Sequence, residues 1–344
     1  MKQLQAMALL CLLLIGCSKP TDTVYHEQFL AFGTLMELTF YGVEPQHAED
    51  VSNEIQQMFL HWHSQWHAWE PGLLTDTNKQ LASQQPFTLD AALLPLIVEA
   101  NRLSLASNGL FNPTIGKLIA LWGFQGNPLP AGTQPEPDAI TQWLKQAPTV
   151  DDITLEGSLI RSRNPAVAYD LGGFAKGYAI DRVVEHLRER GIDNAIVNAG
   201  GDLRAIGKRG TRPWNIGIRH PRNSSIMASI ETRGDTSIFT SGDYERLFEV
   251  EGVRYHHILD PRTGYPATGS SAVTVVHHNA AIADAAATAL FVAGPAEWKL
   301  IAKRMGIDRI LLVDRQGVIY MTPAMQAITS LAKNIKAEIR IETI

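Results

Sequence analysis

The spacing of apolar and polar positions divides the chain into helical and extended stretches. Phe29 to Tyr41 reads as a strand, interrupted at Gly33-Thr34. Ala48 to Trp62 has helical spacing, with Val51, Ile55, Met58, Phe59 and Trp62 on one face. Asp90 suits the N-cap of a helix running to about Ser107, and Gly109 suits its end. Pro128 to Asp138 is Pro-rich and acidic and reads as an exposed loop. Ile153 to Ser162 reads as a hairpin around Gly157-Ser158. A strand-glycine-helix pattern follows: Ala166 to Leu171, Gly172-Gly173, then Phe174 to Arg190, ended by Gly191. A strand at Ala195 to Asn198 runs into Gly200-Gly201, and further strands are predicted near 214–218, 226–232, 236–240, 247–250, 254–259 and 272–277. Ala280 to Val292 is an Ala-rich helix, and strands near 309–313 and 317–320 form a final hairpin. Runs of strands with interspersed helices predict an α+β fold with a largely antiparallel sheet. No repeat and no clean linker divides it.

The N-terminus carries a different signal. Lys2 precedes a short apolar run, Met7 to Ile15, closed by Gly16-Cys17. Spanning a bilayer takes about 20 apolar residues, so the run reads as a secretory leader. Leu14-Ile15-Gly16-Cys17 resembles the lipobox of bacterial lipoproteins, which implies cleavage before Cys17 and acylation of its thiol. An ordinary signal peptide with an incidental Cys is the alternative. Ser18 leans towards the outer membrane, without deciding between outer and inner. The expected division is a leader at 1–16, a tether at 17–28 and one domain at 29–344, exported, anchored to a bacterial membrane by lipid and facing the periplasm.

Cysteine content agrees with that division. Cys11 and Cys17 are the only two, and both lie in the leader. The folded part therefore offers no disulfide, Cys nucleophile or Cys-ligated metal. A net charge of −5 with no basic run argues against nucleic acid as a partner. No apolar stretch of about 18 residues is evident beyond the leader.

Four segments can carry chemistry. Asp170-Leu171-Gly172-Gly173-Phe174-Ala175-Lys176-Gly177 sets a carboxylate and two glycines at a helix start, with Lys176 nearby. This suits a phosphate or pyrophosphate. It equally suits a tight turn with a solvated Lys, and spacing alone favours the turn. Thr240 to Tyr244 offers hydroxyls and Asp243, or simply a polar turn. His256 to Gly264 packs two imidazoles, a carboxylate and a guanidinium into one short segment. In an extended chain His256 and His257 face opposite ways, so one at most serves a given site as a base. Asp284 and Thr288, four apart in the Ala-rich helix, share a face that suits a hard metal or is a polar stripe. His61, His63 and His67, with Trp62, Trp66 and Trp69, lack the H-E-x-x-H arrangement, and no zinc site is read there.

Together these segments resemble the ApbE family, the FAD:protein FMN transferases. The resemblance rests on Phe32-Gly33-Thr34, Trp66 to Pro71 with Asn78, Gly109 to Thr114 with Leu121 to Phe124, Asp170 to Asp181, Asn198 to Asp202, Thr240 to Arg246, His257 to Gly264, and Ala283 to Thr288. It implies a T-fold-like α+β core, FAD as substrate and Mg²⁺ as metal, with Mn²⁺ also acceptable. It further implies transfer of FMN to a Thr or Ser hydroxyl of an exported or membrane redox subunit, with release of AMP. By position, Asp284, Thr288 and the Gly173 carbonyl match metal ligands. Asp170, Lys176 and Ile258 match flavin-nucleotide contacts, as do Phe32, Trp69, Leu110, Phe111 and Asn112. His257 matches the family's His and is the candidate base, aided by Asp243. Phe32 and Asn112 stand where the family usually has Met and Asp. Hydrolysis of FAD to FMN and AMP, and simple flavin binding or scavenging, are the alternatives.

Overall fold

The computed structural model describes residues 23–126, 134–232 and 234–344. Its centre is a nine-stranded sheet: β1 (Val24–Ala31), β2 (Thr34–Tyr41), β3 (Ala195–Ala199), β4 (Asp202–Ile206), β5 (Thr236–Gly242), β6 (Ser270–His277), β7 (Ile310–Asp314), β8 (Ile319–Met321) and β9 (Ile339–Ile341). The strands lie side by side in chain order, and every neighbouring pair is antiparallel except β8 with β9. The α+β expectation with a mainly antiparallel sheet therefore holds. Seven of the eight residues of β6 are buried, because the sheet is covered on both faces at its centre. Helices α1 (Pro45–Trp66), α2 (Ala175–Glu189) and α3 (Ala280–Met305) take part in the main core on one side. On the other side a small sheet of Asn215–Arg219, Ile226–Glu231 and Thr329–Leu331 packs through Trp214, Ile218, Met227 and Ile230.

Local chemistry explains the helices. In α1, Ala48, Val51, Ile55 and Phe59 form the buried stripe, and Glu44 caps the start by accepting from His47 N–H at 3.0 Å. Helix α3 is long and apolar enough to cross a membrane by length and composition, contrary to the expectation that only the leader is apolar. It is mostly buried inside the protein, against β5 and β6. Its Ala-rich stretch reflects tight crossings with the sheet and with α2, and Gly294-Pro295 break it beyond Ala293. Its start is held twice. Asn279 Oδ1 accepts from Ile282 N–H at 2.8 Å, and the Asp181 carboxylate accepts from the N–H groups of Ala280 and Ala281.

Several expected elements differ. Phe29 to Tyr41 is a hairpin, since Phe32-Gly33 is a two-residue turn with φ of 50° and 69°. Strand β1 begins at Val24, inside the expected tether. Asp90 accepts from Ala92 N–H at 2.8 Å, but the helix it was expected to cap is Leu94–Ala106. Part of the Pro-rich loop lies outside the described residues, and its last two residues open the helix Pro137–Leu144. Ala166 to Leu171 is no strand. Its backbone is paired by Thr114, Pro113 and the Asn78 side chain, which both donates to and accepts from Tyr169. The leader and Cys17 lie outside the described residues.

Candidate flavin-nucleotide and metal site

The turn from Asp170 into α2 forms one wall of the site. Asp170 Oδ1 accepts from Gly172 N–H at 2.9 Å, while its Oδ2 is buried without a partner. Burial raises the Asp170 pKa, and an unmet buried carboxylate oxygen marks a place where a donor or cation belongs. Helix α2 starts without a side-chain cap. Gly173 faces α3: a β-carbon there would stand 3.0 Å from Thr288 Oγ1. Gly177 is closer still to α3, and its N–H donates to Asp284 Oδ2 at 2.9 Å.

The charges here are unbalanced. Lys176 forms an ion pair with Asp202, whose Oδ1 also accepts from Thr240 N–H at 2.9 Å. Asp202, Asp284 and Glu245 all act on that one ammonium, which holds Lys176 firmly protonated. Burial pushes the Asp284 pKa up to about 7, with Lys176 opposing and Asp202 reinforcing the shift. The Glu245 carboxyl is also raised from its ordinary value, in part by the Asp202 charge. Asp284 Oδ2 is held by Gly177, and Oδ1 takes no hydrogen bond among the described contacts. Asp284, the Thr288 hydroxyl and Gly173, which adjoins Thr288, offer oxygen donors of the kind a hard divalent cation takes, and such a cation would relieve the carboxylates. Thr288 Oγ1 also lies 3.3 Å from Ser241 Oγ.

His257 stands at the base of a separate hairpin, Leu247–Val250 with Val253–His256. The Arg246 carbonyl accepts from His257 N–H at 3.0 Å and lies 3.3 Å from its Nδ1. Nδ1 therefore carries the proton, which leaves the Nε2 lone pair free. Burial, helped by the charges of His256 and Arg246, pushes the His257 pKa down to about 3. The ring is neutral at physiological pH. His256 turns away, as alternation requires, and pairs with the Ala267 carbonyl at 2.9 Å. Both Asp243 oxygens accept from Arg222, at 2.5 and 2.8 Å, and no hydrogen bond joins Asp243 to His257 among the described contacts.

An aromatic wall meets α2 at Tyr178. Phe32 stacks on Trp66 at 6.0 Å, and Trp66 stacks on Trp62 at 5.2 Å. Phe32 has a positive φ that few bulky residues adopt, and its ring packing on Phe59, His63 and Trp66 holds it there. Trp66 meets Tyr178 of α2 edge-on, and Trp69 is exposed with the Arg246 guanidinium 5.9 Å over its ring. His63, His67 and Glu70 bring ligand atoms within 4.8 Å of one another. His67 Nδ1, however, accepts from Glu70 N–H at 3.0 Å. Its Nε2 then carries the proton and has no lone pair for a metal.

The remaining expected contacts differ in character. Phe111 packs beside Gly173, and both it and Leu110 are buried. Asn112 is occupied structurally: Nδ2 donates to the Pro148 carbonyl at 2.8 Å, and Oδ1 accepts from Thr114. Ile258 donates its N–H to His256 Nδ1, its carbonyl accepts from Ala267 N–H, and its side chain is buried. Sequence reading missed Asp202 and Glu245 as site residues, although Asp202 directly follows Gly200-Gly201.

A family profile described as the ApbE family matches residues 32–311. The chain belongs to the ApbE family. An FAD:protein FMN transferase of Rhodobacter capsulatus is 39% identical over 88% of this chain, which spans 57% of that relative's length. A protein of the same name from Vibrio cholerae is 34% identical, with 88% of this chain and 91% of the relative covered. Among solved structures, the ApbE protein of Thermotoga maritima superposes with a TM-score of 0.82 at 31% identity, over 89% of this chain and 99% of its own. The flavin transferase ApbE of V. cholerae gives 0.78 at 28% identity, over 89% and 99%. The profile begins at Phe32 and runs beyond Thr288, so every residue of the candidate ApbE site described above falls inside it.

Proposed function

We propose that the protein is an FAD:protein FMN transferase, taking FMN from FAD to a Thr or Ser hydroxyl of an exported or membrane redox protein. The observation that carries the reading is the all-oxygen donor set of Gly173, Asp284 and Thr288 beside Lys176, within electrostatic reach of a neutral His257 with a free Nε2. Names borne by relatives over most of this chain supply the substrate.

Asp284, Thr288 and the Gly173 carbonyl are the residues to hold Mg²⁺, or Mn²⁺ with the same ligands; when bound, the ion offsets the charge of the FAD pyrophosphate. Lys176, fixed by Asp202, keeps N–H donors for phosphate oxygens. Asp170 and the amides at the start of α2 orient the nucleotide, and the Phe32–Trp66–Trp69 wall receives a ring. His257 Nε2 takes the hydroxyl proton as the acceptor oxygen attacks the FMN-side phosphorus. The bond to the bridging oxygen breaks, and AMP leaves.

The leader pattern supports export and anchoring through a lipid on Cys17. The test of the activity is to mix the protein with FAD, Mg²⁺ and a candidate acceptor domain, then look for flavin fluorescence on the acceptor after denaturing electrophoresis. Covalent flavin that depends on Mg²⁺ and His257 is the expected result. AMP and free FMN with no labelled acceptor would make the protein a hydrolase instead.

A further inference from the structure

Arg246 reaches several parts of the site at once. Its main-chain carbonyl fixes His257. Its guanidinium Nη2 donates to the carbonyls of Phe124 and Gly126, at 2.8 and 2.9 Å, and lies over Trp69. Those bonds lock the side chain in one place. They also use only one of its three nitrogens. The N–H groups on Nε and Nη1 have no partner among the described contacts, although the side chain is half-buried. A guanidinium presents five N–H donors in a rigid fork, so about three are unspent here. Its positive charge is felt by both the Asp170 carboxyl and the His257 ring. With its carbonyl on His257 and its guanidinium over Trp69, Arg246 links the candidate base to the aromatic wall.

We infer that the free N–H groups of Arg246 bind a non-bridging oxygen of the phosphoryl group being transferred, so that Arg246 is a catalytic residue supplied from within the chain. The inference rests on the transferase reading. In the step, the acceptor oxygen forms a bond to the FMN phosphorus and its proton passes to His257 Nε2. The bond from phosphorus to the bridging oxygen breaks, and its electron pair leaves with AMP. Charge grows on the equatorial oxygens during this exchange, and a preorganised cation stabilises it. The carbonyl that anchors His257 is main chain, so changing the Arg246 side chain leaves that anchor in place.

The experiment compares Arg246→Met and Arg246→Lys with wild type in fluorescence titrations against FAD and against riboflavin, which has no phosphate, alongside the flavinylation assay. Loss of a charge-assisted contact predicts at least about tenfold weaker FAD binding by the Met variant, with riboflavin binding unchanged. Turnover should fall by about 100-fold or more. The Lys variant should recover part of the FAD affinity. Equal losses for FAD and riboflavin would reduce Arg246 to a brace for Phe124 and Trp69, and no loss for FAD would overturn the inference outright. If wild type binds FAD but flavinylates nothing, the transferase reading fails, and the FAD–riboflavin comparison still decides the Arg246 contact.

Discussion

Gly177 crosses Ala280 so closely that a β-carbon on Gly177 would lie 2.3 Å from the Ala280 carbonyl oxygen. This crossing brings Gly177 N–H to Asp284 Oδ2 and so aims the carboxylate. Alanine in place of a helical glycine ordinarily gains up to about 1 kcal/mol. Here the clash is with backbone, which cannot swing aside. Gly177→Ala is therefore expected to lower stability by about 1–3 kcal/mol, as overpacking does. Thermal unfolding should show it. It should also weaken the response of the melting point to Mg²⁺ with FAD, because Asp284 is displaced.

Asp284 makes the metal-free protein sensitive to pH. Its folded pKa, about 7, lies above its ordinary value of 3.8. The folded state thus binds more protons than the unfolded state between those values, and stability falls as pH rises through that window. Urea unfolding in EDTA should show this slope, and Asp284→Asn should lessen it, leaving the share of Glu245. Excess Mg²⁺ should reduce the loss in wild type, since the ion favours the ionised carboxylate. The Asn variant should lose at least about 100-fold in flavinylation, because it removes the anionic ligand.

What was legible in the sequence followed from short-range periodicity. Asp284 and Thr288 sit four apart on a helix, and the structure keeps them on one face. The alternation through His256-His257 also sorted the two rings correctly. Tertiary substitutions hid the rest. Asn78, from a distant helix, supplies the hydrogen bonds that a neighbouring strand would have given Tyr169. Phe32-Gly33 forms a turn that Asn-Gly normally signals, because ring packing outweighs the backbone cost of a positive φ. Glu245 and Asp202 converge on Lys176 from different parts of the chain, which no local spacing records.

Asp243 and His257 should separate cleanly in kinetics. Removing a general base costs typically 10²–10⁴ in rate, so His257→Ala should lose flavinylation on that order while still binding FAD. Asp243 holds Arg222, which in turn reaches Ser271. Asp243→Asn should instead lower stability by about 1–2 kcal/mol, a modest loss because the Arg222 side chain is 39% exposed. Its kcat should stay near wild type under conditions where it remains folded. A kcat loss in Asp243→Asn matching that of His257→Ala, with no change in melting point, would restore Asp243 to the catalytic step.

Asn112 offers a test in which a nearly isosteric change to Asp should do harm. The Asn112 Nδ2 donor meets the Pro148 carbonyl at 2.8 Å. An aspartate there has no hydrogen to give, and its oxygen would face the carbonyl oxygen. Its other oxygen would still accept from Thr114, so half the brace survives. Leaving the Pro148 carbonyl unmet costs about 1–3 kcal/mol. Asn112→Asp should therefore lower the melting point while changing the FAD affinity little, since the side chain is spent on the turn. Measured together, thermal unfolding and FAD titration decide between a structural brace and a nucleotide contact: tighter FAD binding with unchanged stability would assign Asn112 to the nucleotide pocket after all.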